Sequence, residues 1–465
     1  MSNEVTVIPD VRDRMAEALK AGVGASEVEI RLENIESTNI TFQKDSLESL
    51  DKGVSVGGCV RALVNGSWGF SSFNSLDNLP GRVREAVDIA KALGPGHAKL
   101  AEQEPHEDIV PVRILRDPRS VPVSETLESV KKYNDIMLKN EGVVSTYAVY
   151  RHFHYRRWFM NTSGTFTDQE KMKVTLILMA MVLDSDGMVQ EGRDFLNSMV
   201  DYNIVVDAEK SADIAVKDAH EIARAPKVKA GKYPVIVNPD LTGTFIHEAF
   251  GHLSEADFVH QNPDWQKILT LGRKMGREFL NVTDGGAVPD EGGSMKYDDE
   301  GTLAGKTFLI KDGILNSRLH SRETAAALGE QPTGNARAVS YRFPPIVRMT
   351  NTAIEPGPHS LEEMLSDIKY GIYAYKAHGG QTSLEQFTFG TYKGFEIVDG
   401  KIGGPLKNVS ISGNLFQTLE NIDMVGNDLV FDSLGGCGKG EQAPLPVGTG
   451  GPHIRIQDCV VGGEA

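Results

Sequence analysis

The chain has 465 residues, of which 40% are hydrophobic, and its formal net charge is −16. A chain of this length and composition buries a large core and folds into two or three domains. Its acidity, with no basic stripe to offset it, argues against a general nucleic-acid-binding protein.

Three cysteines (Cys59, Cys437 and Cys459) are too few for a disulfide framework. Residues 1–5 lack the basic region and apolar core of a secretory signal. The longest apolar run, residues 174–183, is too short to span a bilayer. We therefore expect a cytoplasmic protein that does not associate with membranes.

Residues 1–225 are predicted to form an N-terminal α/β layered domain of the α+β class. Its helical patterns lie at residues 10–22, 80–93, 124–138 and 208–224. Its strand patterns lie at residues 28–32, 40–42, 53–64, 67–70, 142–159 and 174–183. Asp10 and Ser124 are the predicted N-caps, Asn65-Gly66 predicts a hairpin turn, and residues 94–123 are predicted to be an exposed connection.

Two histidines, His152 and His154, share one face of a predicted strand. This spacing is compatible with metal binding, but no third ligand is obvious nearby. We predict that both lie at a half-exposed strand edge.

A basic segment with Pro226 and Gly231 marks the predicted domain boundary, so residues 226–465 form the second domain. A strand at residues 233–237 leads through a short turn into a helix, for which Asp240 or Thr242 is the predicted N-cap. Glycine-rich turns follow, which predicts a β-rich body with one further helix at residues 360–370.

That first helix of the second domain carries His247, Glu248 and His252. Zinc-binding helices usually carry their histidines at positions i and i+4. Here the spacing is i and i+5, which places the rings roughly 140° apart on a regular α-helix. An inserted π-type turn would bring them together, and Gly251 would ease the distortion. The motif therefore predicts a metal site on a distorted helix.

A catalytic zinc site needs a third protein ligand. Cys437 lies in a glycine-rich loop that could approach a metal closely, and Lys439 would help to keep its thiol ionised. Glu255 and Asp257 are the alternatives, because either could bind the metal or orient a histidine that does. Cys459 is predicted to be a core residue.

The motif, together with Glu255 and Asp257, resembles the zinc motif of the TldD branch of the TldD/PmbA metallopeptidases. Other blocks along most of the chain are similar to signatures of this family: the run from Gly53 to Phe70 with Arg61 and Trp68-Gly69-Phe70, Asp298-Asp299-Glu300-Gly301-Thr302, Thr333-Gly334-Asn335-Ala336-Arg337 with Ser340-Tyr341, Arg348-Met349-Thr350-Asn351-Thr352, Gly371-Ile372-Tyr373, Gly379-Gly380-Gln381, Met424-Val425-Gly426-Asn427-Asp428, Cys437-Gly438-Lys439 with Gln442, Pro446-Val447-Gly448, and Val461-Gly462-Gly463.

This resemblance implies Zn²⁺ held by His247, His252 and Cys437, with Glu248 as the general base of peptide hydrolysis. It also implies unfolded or unstructured peptides as substrates, including leader segments of modified peptides. The expected assembly is a homodimer, or a heterodimer with a non-catalytic paralogue. Arg337, Tyr373 and His378 lie in signature-like blocks, but the sequence does not single out an oxyanion stabiliser among them.

Two alternatives remain at this point. The chain could be a zinc hydrolase of a non-peptide amide. It could instead be a peptide-binding or scaffolding subunit without turnover, although the intact motif speaks against that.

Overall fold

The computed structural model describes residues 10–383, 385–433 and 435–462. The predictions made for residues 1–5 and for Gly463 lie outside these ranges. Within them, mixed helices and strands confirm the α+β class.

A long antiparallel hairpin and its neighbours build the N-terminal sheet. The elements of this half are α1 (Val11–Leu19), β1 (Glu27–Gln43), β2 (Ser46–Val64), β3 (Ser67–Phe73), α2 (Leu79–Leu93), β4 (Glu107–Val110), α3 (Val123–Leu138), β5 (Val143–Asn161), β6 (Phe166–Leu183), β7 (Val189–Ser198) and α4 (Glu209–Arg224). The strand order is β3-β2-β1-β5-β6-β4, and β7 also pairs with β6. Asn65 and Gly66 both have positive φ and form the predicted tight turn.

Helices cover one face of this sheet. Buried side chains of α1 and α2 pack with β1–β3, and those of α3 and α4 pack with β5 and β6. On β6 the alternation of Val174, Leu176 and Leu178 with half-buried residues places every second side chain in this core. The opposite face meets the C-terminal half, where Arg157 pairs with Asp299.

Several local predictions for this half are wrong. Asp10 precedes α1 in a left-handed conformation, and its side chain makes no capping hydrogen bond. Ser124 is the second residue of α3, which begins after Pro122. Residues 94–123 are not wholly exposed, because β4 pairs with the edge of β6 and Pro118 is buried.

The strand predictions at residues 28–32 and 40–42 belong to one continuous strand, β1. Glu33 and Asn34 near its middle are buried, and the C-terminal half contacts β1 there, since Tyr341 N donates to Glu33 at 3.0 Å. β7 was not predicted, because charged residues such as Glu191 and Arg193 interrupt its apolar alternation. His152 and His154 are buried, 5% and 6% exposed, on the helix-covered face rather than at a half-exposed edge.

Among its described residues, the C-terminal half has two larger sheets and two small hairpins. Its helices are α5 (Pro239–Ile246), α6 (Ala256–Gln261), α7 (Pro263–Ile268), α8 (Arg322–Leu328), α9 (Leu361–Leu365) and α10 (Leu415–Asn421). Its strands are β8 (Gly231–Val237), β9 (Val282–Gly285), β10 (Lys306–Lys311), β11 (Ile314–Leu315), β12 (Ala336–Arg337), β13 (Ile346–Val347), β14 (Asn351–Ile354), β15 (Tyr370–Ser383), β16 (Gln386–Val398), β17 (Lys401–Leu406), β18 (Ser410–Asn414), β19 (Ile422–Val425), β20 (Val430–Asp432), β21 (Gly436–Lys439), β22 (Gln442–Pro446), β23 (Gly448–Gly451) and β24 (Ile454–Gly462).

One sheet runs β15-β8-β24-β18-β16-β17, with β19 also on β24, and the other runs β11-β10-β9-β14-β23-β20. The core between them contains Leu241, Phe245, Ile246 and Phe250, so the segment that carries the motif is buried at its centre. The helix predicted at residues 360–370 is shorter, because α9 ends at Leu365 and the chain turns towards β15. We propose a domain boundary near residue 225, just after α4.

Candidate metal centre

The motif segment begins as an ordinary helix and then changes its pitch. Asn238 caps α5, since its side chain accepts a hydrogen bond from Leu241 N at 3.2 Å; the predicted caps Asp240 and Thr242 lie inside the helix. From His247 to Gly251 the chain forms a π-helical turn, and His252 N donates to His247 O. The two histidine rings lie 5.4 Å apart between centroids. The predicted π-type turn is therefore confirmed.

Gly251 matters for packing rather than for backbone freedom. A Cβ at this position would lie 2.1 Å from Met349 Sδ. Its φ is −55°, which any residue adopts in a helix. The absence of a side chain thus lets the turn rest against Met349.

Cys437 reaches the two histidines from the hairpin β21–β22. Its Sγ lies 3.2 Å from His252 Nε2, and the candidate ligand atoms of His247, His252 and Cys437 lie within 4.8 Å of one another. A tetrahedral zinc ion with bonds of about 2.1 and 2.3 Å to nitrogen and sulphur separates such atoms by about 3.6 Å. The three donors therefore fit a metal with little movement.

The donor set has the character of a zinc site. Two imidazoles and one thiol supply ligands of the kind that zinc prefers. His247 Nδ1 is buried and has no hydrogen-bond partner within the described residues, which is unusual for a buried polar atom. Both observations favour a bound cation here.

The electrostatics of the cluster favour an ionised thiol. Burial disfavours the thiolate, but hydrogen bonds and charge from His247 and His252 outweigh it and lower the pKa of Cys437 to about 6. Burial alone would lower the pKa of His252. Its hydrogen bonds to Cys437 and Glu255 outweigh burial and raise this pKa to about 10. The thiolate is the form of cysteine that binds a metal.

Glu248 stands at the open side of this cluster. Its side chain is 31% exposed, whereas its neighbour His247 is buried, and its Oε2 lies 3.9 Å from His252 Nε2. A carboxylate in this position can reach both solvent and a ligand held between the histidines.

Glu255, one of the rival ligands, lies behind His252. His252 Nδ1 is 3.3 Å from Glu255 Oε2, on the side of the ring opposite Cys437. Lys439 Nζ bonds to Glu255 at 2.9 Å and to Asp257 at 2.7 Å. The Lys439 ammonium group is thus paired with these two carboxylates, and the groups that lower the pKa of the Cys437 thiol are His247 and His252.

The other residues considered from the sequence make different contacts. Arg337 donates to the carbonyls of Met349 and Pro446. Tyr373 OH lies 2.9 Å from His453 Nε2, and the exposed His378 is 3.5 Å from Glu191. None of these contacts is with a member of the metal cluster.

Two structural residues were missed at the sequence level. Met349 packs against the π-helical turn, and Arg348 Nη1 donates to Gln442 O at 3.1 Å in the Cys437 hairpin. Both lie in one of the signature-like blocks, which was the only signal available for them. Separately, among the helices of the described ranges none is both long and apolar enough to cross a membrane.

Comparisons with known proteins cover most of the chain and agree with one another. Residues 230–463 match the PmbA/TldA metallopeptidase C-terminal domain, and residues 28–93 match the PmbA/TldA metallopeptidase domain 1. A metalloprotease of Synechocystis sp. is 40% identical over 443 residues, which cover 95% of this chain and 96% of that protein. A zinc metalloprotease TldD homolog of Saccharolobus solfataricus is 30% identical and covers 95% of this chain and 97% of its own length. TldE from Thermococcus kodakarensis has the same fold, with a TM-score of 0.76 at 17% identity, covering 97% of this chain and 100% of that one.

Proposed function

Because the chain belongs to the PmbA/TldD metallopeptidase family, we propose that it is a zinc-dependent peptidase that hydrolyses unfolded or unstructured peptides. The observation that carries the proposal is the convergence of His247, His252 and Cys437 next to the accessible carboxylate of Glu248. In this proposal the first three residues hold Zn²⁺ and Glu248 is the catalytic residue.

Each side chain has a distinct part in the reaction. When bound, zinc lowers the pKa of its water and polarises the scissile carbonyl. Glu248 accepts the proton of the attacking water and later delivers it to the leaving amine. His252 is kept in one orientation by Glu255, on the ring nitrogen that faces away from Cys437.

An open strand edge supports extended peptides as substrates. β6 pairs with β4 at residues 166–169 and with β7 at residues 174–183. Between them, residues 170–173 have no strand partner on that edge in the described chain. Phe166 N points to this edge, so the alternating amides of Glu170 and Met172 point there too.

This edge borders a cavity of about 490 Å³. Met199 and Met295 are among the residues that line it. Methionine side chains adapt to varied partners, and main-chain pairing does not depend on sequence. Both properties suit an extended peptide of variable sequence, and we include leader segments of modified peptides among the proposed substrates.

The test compares one protein substrate in its folded and denatured forms. Purified chain with zinc should cleave the denatured form and leave the native form intact, as mass spectrometry of the products would show. A chelator should abolish cleavage, and added zinc should restore it. Equal cleavage of both forms would contradict the preference for unfolded peptides. Cleavage of small amides without any peptide cleavage would contradict the peptidase assignment.

We also propose that the chain works in a two-subunit assembly in the cytoplasm. The complete motif suits either a self-sufficient homodimer or the catalytic subunit of a heterodimer with a paralogue that lacks the motif. The free state of Cys59, Cys437 and Cys459 agrees with a reducing compartment. If the chain is a homodimer, light scattering of the chain alone should give the mass of a dimer. If it is part of a heterodimer, the chain alone should give the mass of a monomer, and this mass should double when the paralogue is added.

A further inference from the structure

The strand β21 supplies two side chains to the same short segment of the metal helix region. Cys437 contacts His252, and Lys439, two residues later, contacts Glu255 and Asp257. Both side chains reach this segment although the pairing register of the hairpin shifts between them. The hairpin therefore contacts residues 252–257, which follow the π-helical turn, through the Cys437 thiol and the Lys439 ammonium group.

Lys439 is held in a dense set of hydrogen bonds. Its Nζ lies 2.7 and 2.8 Å from the two carboxylate oxygens of Asp257, 2.9 Å from Glu255 Oε2 and 3.0 Å from Val347 O. The same Glu255 oxygen faces His252 Nδ1 at 3.3 Å. Glu255 thus connects Lys439 to His252, which is a candidate metal ligand.

The charges explain why an ammonium group is needed here. Glu255 is 1% exposed, and the side chain of Asp257 is only 19% exposed. Two buried carboxylates so close together repel each other unless a cation lies between them. Without Lys439, repulsion from Asp257 would displace the Glu255 carboxylate and so weaken its contact with His252.

The second strand of the hairpin is fixed in another way. Gln442 accepts from Val339 N at 3.0 Å and donates to Pro344 O at 3.0 Å, and Arg337 donates to Pro446 O at 2.7 Å. These bonds attach β22 to residues 337–344. The hydrogen bonds of Lys439 attach β21, the strand that carries Cys437, to Glu255, Asp257 and Val347.

We propose that Lys439 is a positioning residue of the metal site: by bridging Glu255 and Asp257, it holds Cys437 against His252 and keeps His252 oriented. This inference rests on the proposed zinc site and adds to it the residues that assemble it. Loss of the bridge should loosen the thiolate ligand without removing any ligand.

A matched control exists elsewhere in the chain. Lys393 also bridges two carboxylates, those of Asp218 and Glu221, each at 2.6 Å, and its side chain is 7% exposed, compared with 24% for Lys439. It joins β16 to α4, away from the metal cluster. Lys393→Met therefore removes an equivalent bridge and should affect stability but not metal binding.

The experiment uses the full chain loaded with Co²⁺, whose bond to a thiolate gives an ultraviolet absorption band. Lys439→Met should weaken this band and speed the release of cobalt to a chelator by about 10- to 100-fold. Lys439→Arg should restore most of the wild-type behaviour, and Lys393→Met should release cobalt at the wild-type rate. Release from Lys439→Met at the wild-type rate, or equal acceleration in Lys393→Met, would overturn the proposal.

Glu255→Gln provides a second route that does not depend on the folding of Lys439→Met. It should also accelerate release, and in the double variant Lys439→Met/Glu255→Gln the two accelerations should combine to less than their product, because both changes break the same contact between Lys439 and Glu255. Multiplying effects would overturn the proposal. A wild-type chain without the thiolate band would contradict the zinc site itself, which separates that failure from failure of the bridge.

Discussion

Cys437 Sγ lies 3.2 Å from His252 Nε2, although 185 positions separate the two residues in the chain. The contact exists because the hairpin β21–β22 folds back onto the segment that follows α5. It turns a two-histidine motif into a three-donor cluster in which the thiol is readily ionised.

Removal of this thiol should therefore remove the metal. We expect Cys437→Ala to lower zinc affinity by more than about 100-fold, since loss of a ligand should exceed the effect of losing a supporting contact. Zinc content after dialysis against a weak chelator measures this. Cys459→Ala is the control, because Cys459 is also buried and free but does not belong to the cluster of His247, His252 and Cys437. Full zinc content in Cys437→Ala would show that another residue completes the site.

A methyl group at Gly251 should disturb the π-helical turn. Its Cβ would lie 2.1 Å from Met349 Sδ, so Gly251→Ala should cost about 1–3 kcal/mol in the free energy of unfolding and reduce zinc binding. Denaturant unfolding and metal content test this. Gly251→Ala/Met349→Ala should recover part of the loss, and Gly305→Ala, where the space is open, should be nearly neutral. A stable, zinc-replete Gly251→Ala protein would contradict the packing argument.

The buried histidines of the N-terminal sheet predict sensitivity to acid. Burial lowers the pKa of His152 and of His154 from 6.5 to about 4. In the unfolded chain each histidine takes up a proton as the pH falls below 6.5, whereas in the folded chain it does so only near pH 4. Proton uptake therefore favours the unfolded chain between these values, so the folded state has its full stability above pH 6.5 and loses stability as the pH falls towards 4.

For one such histidine the loss between pH 7 and 5 is of the order of 1–2 kcal/mol. We expect His154→Gln to lose less stability over this range than the wild type, as measured by urea unfolding at both pH values. His260→Gln changes an exposed histidine and should keep the wild-type dependence. An unchanged pH dependence in His154→Gln would contradict the assignment.

The sequence was most informative where residues act locally. The spacing of His247 and His252 required a π-type turn, because no regular helix places residues five apart on one face. Asn65-Gly66 likewise determined a turn by its backbone preferences. Both features depend on a few neighbouring residues, and both are present in the structure.

Features that depend on distant partners were less accessible. Glu255 and Cys437 were both reasonable third ligands until the hairpin showed which of them faces the histidines and which lies behind one. The burial of His152 and His154, and the continuity of β1 through its polar middle, follow from packing by other segments. A local sequence pattern does not depend on such distant contacts and therefore cannot predict them.

The central claim is that Glu248 drives peptide hydrolysis at the His247–His252–Cys437 site. The most direct test incubates an unstructured peptide with the purified chain and with its Glu248→Ala variant, measures fragments by mass spectrometry, and compares zinc content. The account predicts fragments from the wild type, a decrease of about 10²–10⁴-fold in the variant, and equal zinc in both. Near-normal cleavage by a zinc-replete Glu248→Ala protein would contradict it.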